Sequence, residues 1–203
     1  MKPKILTSMV LMIAGCLLAP ADTLAQNLLQ NSDFNQENSL GPYSTYTAGT
    51  SGGGSQSGAE DWTTWAPPGG TVSTLLMDST FPGDSGRMLV VQTDSGAGIV
   101  QAFLSPQEGP EEATACVWVY LESGSSVGVG LGNGGNTHTS MILTEQGKWE
   151  KITVSNGVSP ANEITIYTAG TGALFYVTYA AVFRDPSWKQ SNCCTPAEFG
   201  AGF

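Results

Sequence analysis

The run from Ala113 to Gly132 allows few folds. Ala113, Ala115, Val117, Val119 and Leu121 alternate with Thr114, Cys116, Trp118, Tyr120 and Glu122. After a short polar break, Val127, Val129 and Leu131 alternate with Gly128, Gly130 and Gly132. Strand side chains point to opposite faces in turn, so a period of two marks two half-buried strands, each with one core face. If the two form a hairpin with their core faces in agreement, Leu121 stands opposite Val127. Tyr120, Trp118 and Cys116 then stand opposite Gly128, Gly130 and Gly132. Two large aromatics would face a bare glycine floor, a place that either a ligand or a covering loop can occupy.

The same signal recurs along the chain. Alternating segments are read at 72–77, 87–93, 98–104, 113–121, 127–131, 140–143, 149–154, 163–167 and 174–183, with Gly- and Pro-rich turn signals between them. No segment has helical periodicity, and many short strands with turns between them predict an all-β sandwich or barrel. From Tyr43 to Ala59 the chain is mostly Gly, Ser and Thr, which reads as a long irregular loop. Residues 185–203 read as an irregular tail with paired cysteines.

Residues 1–25 read as an export signal. Lys2 and Lys4 precede an apolar run, and small residues near Ala25 suit cleavage. Ile13-Ala14-Gly15-Cys16 is the alternative: it resembles a site at which Cys16 is acylated and anchors the chain to lipid. The expected location is secreted, extracellular or periplasmic in a bacterium, with a lipid anchor through Cys16 as the alternative, and no transmembrane segment is expected. The whole chain carries a net charge of −10, and losing the leader makes it one unit more negative. That charge repels phosphate backbones and excludes nucleic acid as a natural partner. Of the four cysteines, Cys116, Cys193 and Cys194 survive maturation. An odd number leaves one thiol free or paired between chains, so a homo-oligomer through cysteine is one outcome. A bond from Cys116 to Cys193 or Cys194 would tie the tail to the sheet; the alternative is a free Cys116 beside an unattached tail.

Five motifs in order resemble the family 4/9 type of carbohydrate-binding module, a galactose-binding-like jelly roll. They are Asn27-Leu28-Leu29-Gln30-Asn31-Ser32-Asp33-Phe34, then Trp62, then Gln101-Ala102-Phe103, then the strand ending Val117-Trp118-Val119-Tyr120 with Gly147-Lys148-Trp149-Glu150 after it, and a closing apolar strand from Phe175 to Val182. The resemblance covers about residues 26–184 and implies a β-sandwich jelly roll that binds polysaccharide without catalysis. It places Trp62 and Trp149 in the core. The family's structural calcium is held by an opening Glu and a late-strand Asp, and here those positions are Asn35 and Thr178. Asp33, Asn35 and Asp185 remain as calcium candidates, and no other cofactor is implied.

Sugar rings stack on aromatic faces and their hydroxyls need amide or carboxylate partners. Trp118 and Tyr120 are the expected ring contacts. Gln101, Asn133, Asn136 and His138 are the expected polar contacts, and Tyr43 and Tyr46 could close over a ligand. Each has a plainer reading as packing or surface. No nucleophile elbow, zinc-protease motif or phosphate loop is present, and His138 is the only histidine. Glu108, Glu111, Glu112 and Asp84 lie in turn-like segments, so a non-catalytic binding protein is expected. A structural surface or matrix protein, with the aromatic face against a protein partner, and a small polysaccharide-degrading enzyme are the alternatives.

Overall fold

The computed structural model describes residues 27–94, 96–103, 112–133, 136–155 and 161–184, and side chains are not described at 133 and 136–139. Among these residues there is no helix, and twelve strands form two antiparallel six-stranded sheets. The first sheet contains β1 (Tyr43–Thr47), β4 (Thr71–Asp78), β5 (Arg87–Thr93), β12 (Ala173–Phe183), β7 (Thr114–Gly124) and β10 (Trp149–Ser155), in that spatial order. The second contains β2 (Gly53–Gln56), β3 (Thr63–Ala66), β6 (Gly98–Ala102), β11 (Glu163–Thr168), β8 (Val127–Asn133) and β9 (Asn136–Leu143). This is an all-β sandwich, one of the two architectures that the alternation predicts.

The core lies between the sheets. Val117, Val119 and Leu121 of β7, Val127, Val129 and Leu131 of β8, Phe175 and Val177 of β12, and Ile164 and Ile166 of β11 are all fully buried there. Trp62 is buried as expected, with its ring 5.1 Å from that of Phe34. Burying an aromatic side chain of this size is worth about 3–5 kcal/mol against its removal.

The expected β7–β8 hairpin does not form. β7 pairs with β10 and β12, while β8 pairs with β9 and β11 in the other sheet. The link 124–126 crosses the sandwich instead, with Gly124 at φ +107° and the Ser126 hydroxyl donating to the Ala169 carbonyl at 2.8 Å. Both strands carry Val/Leu faces, and those faces are satisfied equally well against each other across the core as side by side in one sheet. Alternation identifies a face; it does not identify a neighbour.

Two further expectations are corrected. The stretch read as a loop from Tyr43 to Ala59 contains β1 and β2, which pair with β4 and β3 at the sheet edges. Trp149 is not a core residue: it stands half-exposed on the outside of the first sheet, 5.6 Å from Tyr120 and 5.3 Å from Phe81. At Thr178 and Ala180, β12 changes register, and Tyr179 between them takes φ +48°. Beyond that bulge the segment 27–32 lies along β12, with Leu28 N–H donating to Val182 O at 2.9 Å and Ala180 N–H to Ser32 O at 2.8 Å.

Candidate binding groove

The sandwich has two outer faces, and each carries aromatics. On the first sheet, register lines up Trp149, Tyr120, Tyr176, Val90, Leu75 and Tyr43 in one row across all six strands. Tyr120 and Tyr176 stack with ring centroids 5.4 Å apart and planes 6° from parallel. Burial, helped by the charge of Glu122 and by Tyr120, raises the Tyr176 hydroxyl above the usual phenol range. Trp118 stands one pair further along β7, and Phe81 packs its ring edge-on against it at 4.9 Å. The loop from Ser79 to Gly86 thus lies over the Trp118 end of this face, while Tyr43 at the far end is 62 % exposed. The expected ring contacts Trp118 and Tyr120 share a face with Tyr43, but it is a closely packed one.

The second sheet presents a different surface. Its register row runs Gly54, Trp65, Gly98, Tyr167, Gly128 and Ile142, an alternation of bare backbone and large side chain. The next row is Gln56, Thr63, Val100, Thr165, Gly130 and Ser140, and Glu163 stands opposite Gly132 and Ala102 in the row beyond. Trp65 and Tyr167 therefore stand two strands apart, about 9–10 Å at ordinary strand spacing, with only Gly98 between them. The glycine is required by the backbone as well, since a Cβ there would lie 2.0 Å from the Ile166 carbonyl oxygen. A groove of about 430 Å³ opens over this floor, lined by Trp65, Gly98, Val100, Glu163, Thr165 and Tyr167 among others. Trp65 is 39 % exposed and Tyr167 half-exposed. Gly128 lets the Tyr167 ring lie down: a Cβ at Gly128 would come within 2.7 Å of its Cζ.

Sequence reasoning thus found the glycine floor but set the wrong aromatics over it. Tyr167 faces Gly128, and Thr165 faces Gly130. The missed signal was Trp65, outward by alternation with the buried Trp62, Thr64 and Ala66.

The remaining candidates fall elsewhere. Gln101 is buried, with its Oε1 accepting from Gln30 N–H at 2.9 Å and its Nε2 donating to the carbonyls of Gln30 and Asp61 at 3.0 and 3.2 Å. Its amide clamps the opening segment onto β6 and does not meet Trp118. Tyr46 points inward and packs on the core. Asn133 and Asn136 pair at the end of the β8–β9 hairpin, so most of the expected Asn133–His138 loop is strand; His138 lies on β9. Asp185, Cys193, Cys194 and Cys16 lie outside the described residues. Cys116 is disulfide-bonded.

The positions that the calcium resemblance singles out do come together. Asp84 lies between them: its Oδ1 accepts from Gly86 N–H at 2.8 Å and from the Tyr179 hydroxyl at 2.8 Å, and its Oδ2 accepts from Thr178 at 3.4 Å. Asn35 donates from Nδ2 to Asp33 at 2.7 Å. Burial alone would raise the Asp84 carboxyl, but donors from Ser79, Gly86, Tyr179 and Thr178 outweigh it and hold the group below the usual carboxylate range. Tyr179 is pushed well above the phenol range by burial and by its bond to that carboxylate. Calcium needs six or more oxygens with their lone pairs directed at the ion. Here protons already point at the Asp84 carboxylate, and this arrangement does not fit a calcium ion.

No protein-family model matches the chain, and no curated protein matches it. Solved structures do align with it over most of its length. The C-terminal family 22 carbohydrate-binding module of Clostridium thermocellum Xyn10B is 16 % identical, with 76 % of this chain and 100 % of the module covered and a TM-score of 0.49. A family 61 module in complex with β-1,4-galactotriose is 12 % identical over 79 % of this chain and 100 % of the module, with a TM-score of 0.40. A family 11 module from Clostridium thermocellum, in complex with a β-1,3-1,4-mixed-linked tetrasaccharide, is 14 % identical over 68 % of this chain and 97 % of the module, with a TM-score of 0.45. These neighbours carry family numbers 22, 61 and 11, not the 4 or 9 of the resemblance drawn from sequence.

Proposed function

We propose that this protein binds a polysaccharide non-covalently in the groove of the second sheet. The observation that carries the reading is the pair Trp65 and Tyr167, half-exposed on either side of Gly98 above an open groove. Two flat apolar faces at this spacing, over a floor without side chains, suit a pyranose ring presenting its C–H faces to both. Glu163 and Thr165 at the groove wall supply acceptor oxygens for its hydroxyls. The volume is that of a site for a few sugar units. Binding without bond cleavage is part of the reading, and so is export through the 1–25 leader, with anchoring through Cys16 as the alternative that intact-mass measurement of the mature protein separates.

The test is affinity electrophoresis through gels containing a panel of soluble polysaccharides. Trp65→Ala is expected to lose retention, at least about tenfold in affinity, because a stacked aromatic carries area burial plus about 0.5–1.5 kcal/mol of specific contact. Trp118→Ala is expected to keep it. The opposite result would move the site to Trp118 and Tyr120 on the first sheet, and release of reducing ends from any retained polysaccharide would overturn the non-catalytic reading.

A further inference from the structure

Burial along the outer face of the first sheet is uneven. By alternation, Thr114 and Cys116 of β7 point away from the core, which takes Ala115 and Val117 instead. Past the β12 bulge, Ala181 and Phe183 point the same way, paired with Cys116 and Thr114. These four outward side chains stand outside the core cluster, yet they are 3 %, 0 %, 0 % and 5 % exposed in the order named. Further along the same face Tyr120 and Tyr176 are half-exposed and Glu122 is exposed. A side chain on the outside of a sheet is buried only when a layer lies over it.

We propose that this layer is the chain's own C-terminal segment, 185–203, latched by a disulfide from Cys116 to the Cys193-Cys194 pair. Cys116 is disulfide-bonded, and the chain has only three other cysteines, at 16, 193 and 194. The geometry favours the tail. β12 ends at Phe183 beside Thr114, and Cys193 follows Ala181, the register partner of Cys116, by only 12 residues. Neighbouring strands hold their Cα atoms about 5 Å apart, so the segment leaves β12 beside Cys116 and is long enough to turn back and bring a cysteine within the Cα separation of about 4.4–6.8 Å that a disulfide spans. Its composition suits the surface: Trp188, Phe199 and Phe203 against three charged residues, Asp185, Lys189 and Glu198.

The experiment uses the mature chain exported to an oxidising compartment and digested with trypsin without reduction. Cleavage after Arg87, Lys148 and Lys189 puts Cys116 in peptide 88–148 and the paired cysteines in peptide 190–203. Mass spectrometry is expected to find these two joined, in protein that runs as a monomer. Replacing both Cys193 and Cys194 with Ser is expected to lower Tm by about 5 °C or more and to increase binding of an apolar dye, while retention on the polysaccharide gel is kept. The proposal is overturned if Cys116 is alkylated without reduction, is joined to the peptide carrying Cys16, or links two chains. It is equally overturned if the double variant matches the parent in both Tm and dye binding. Loss of gel retention in Trp65→Ala bears on the groove alone and leaves this result untouched.

Discussion

At the scale of single residues, the groove depends on where side chains are missing. Gly128 is a floor residue by sequence, but its role in the structure is to make room for a neighbour, because a Cβ there would meet Tyr167 Cζ at 2.7 Å and Ile142 Cδ1 at 3.0 Å. The sheet backbone is not what the methyl would strike first, so the ring moves and the strand stays. Gly128→Ala is therefore expected to lift the Tyr167 ring off β8 and into the groove. Polysaccharide affinity should fall about tenfold, or 1.4 kcal/mol, for a stability loss within the 1–3 kcal/mol typical of overpacking. Affinity electrophoresis beside urea unfolding separates the two, and unchanged retention would show that Tyr167 is no wall of the site. That glycines pave a face was legible from alternation alone. Which aromatic lies over them was not, since it depends on which strand comes alongside, and β8 is separated from its neighbour β11 by some thirty residues of sequence.

At the scale of elements, β12 is the strand that organises one end of the sandwich. Its bulge sets Tyr179 at φ +48°, a conformation that costs a non-glycine residue about 1–2 kcal/mol. The bond from its hydroxyl to Asp84 offsets this and ties the Ser79–Gly86 loop to the strand. Because the native fold holds the Asp84 carboxyl below its usual range, it favours the ionised form. The stabilisation is therefore full above the unfolded value near 3.9 and is lost as pH falls through the lower folded value. Asp84→Asn is expected to lose about 1 kcal/mol at pH 7, a figure reduced for the half-exposed position. The gap from the parent should narrow below about pH 4. Urea unfolding at pH 7 and pH 3 measures both gaps, and equal gaps would remove the carboxylate's charge from the account. Strands such as β7 and β12 were plain in the sequence because a continuous Val/Leu/Ala face must be buried. β1 and β2 were hidden because edge strands pair on one side only, and a Ser/Thr/Gly stretch such as Tyr43-Ser44-Thr45-Tyr46-Thr47 buries too little to show a period. The bulge left no sequence signal, since Tyr is an unfavourable residue for a left-handed position and the Asp84 contact that its hydroxyl makes there is distant in sequence.

At the scale of the whole molecule, charge restricts what the groove can accept. The chain carries 17 acidic residues against 7 Lys and Arg, a net charge of −10. Glu163 is the only charged side chain among the described residues lining the groove. An anionic polymer approaching this surface meets like charge within about a Debye length, whereas an uncharged polysaccharide carries no charge for that field to repel. Stacking on Trp65 and Tyr167 and hydrogen bonds to hydroxyls are short-range and only weakly screened by salt. Affinity for an uncharged polysaccharide is therefore expected to change less than about twofold between roughly 0.05 and 0.5 M NaCl. A uronate-bearing polymer of the same backbone should bind more weakly at low salt and recover part of the difference at high salt, as screening removes the repulsion. Titration calorimetry with matched neutral and acidic oligosaccharides at the two salt concentrations distinguishes this from ionic recognition. Steep weakening with salt, or tighter binding of the acidic ligand, would mean that a cationic contact governs the site. The described lining offers no such contact, so its ligand would have to be held on another part of the molecule.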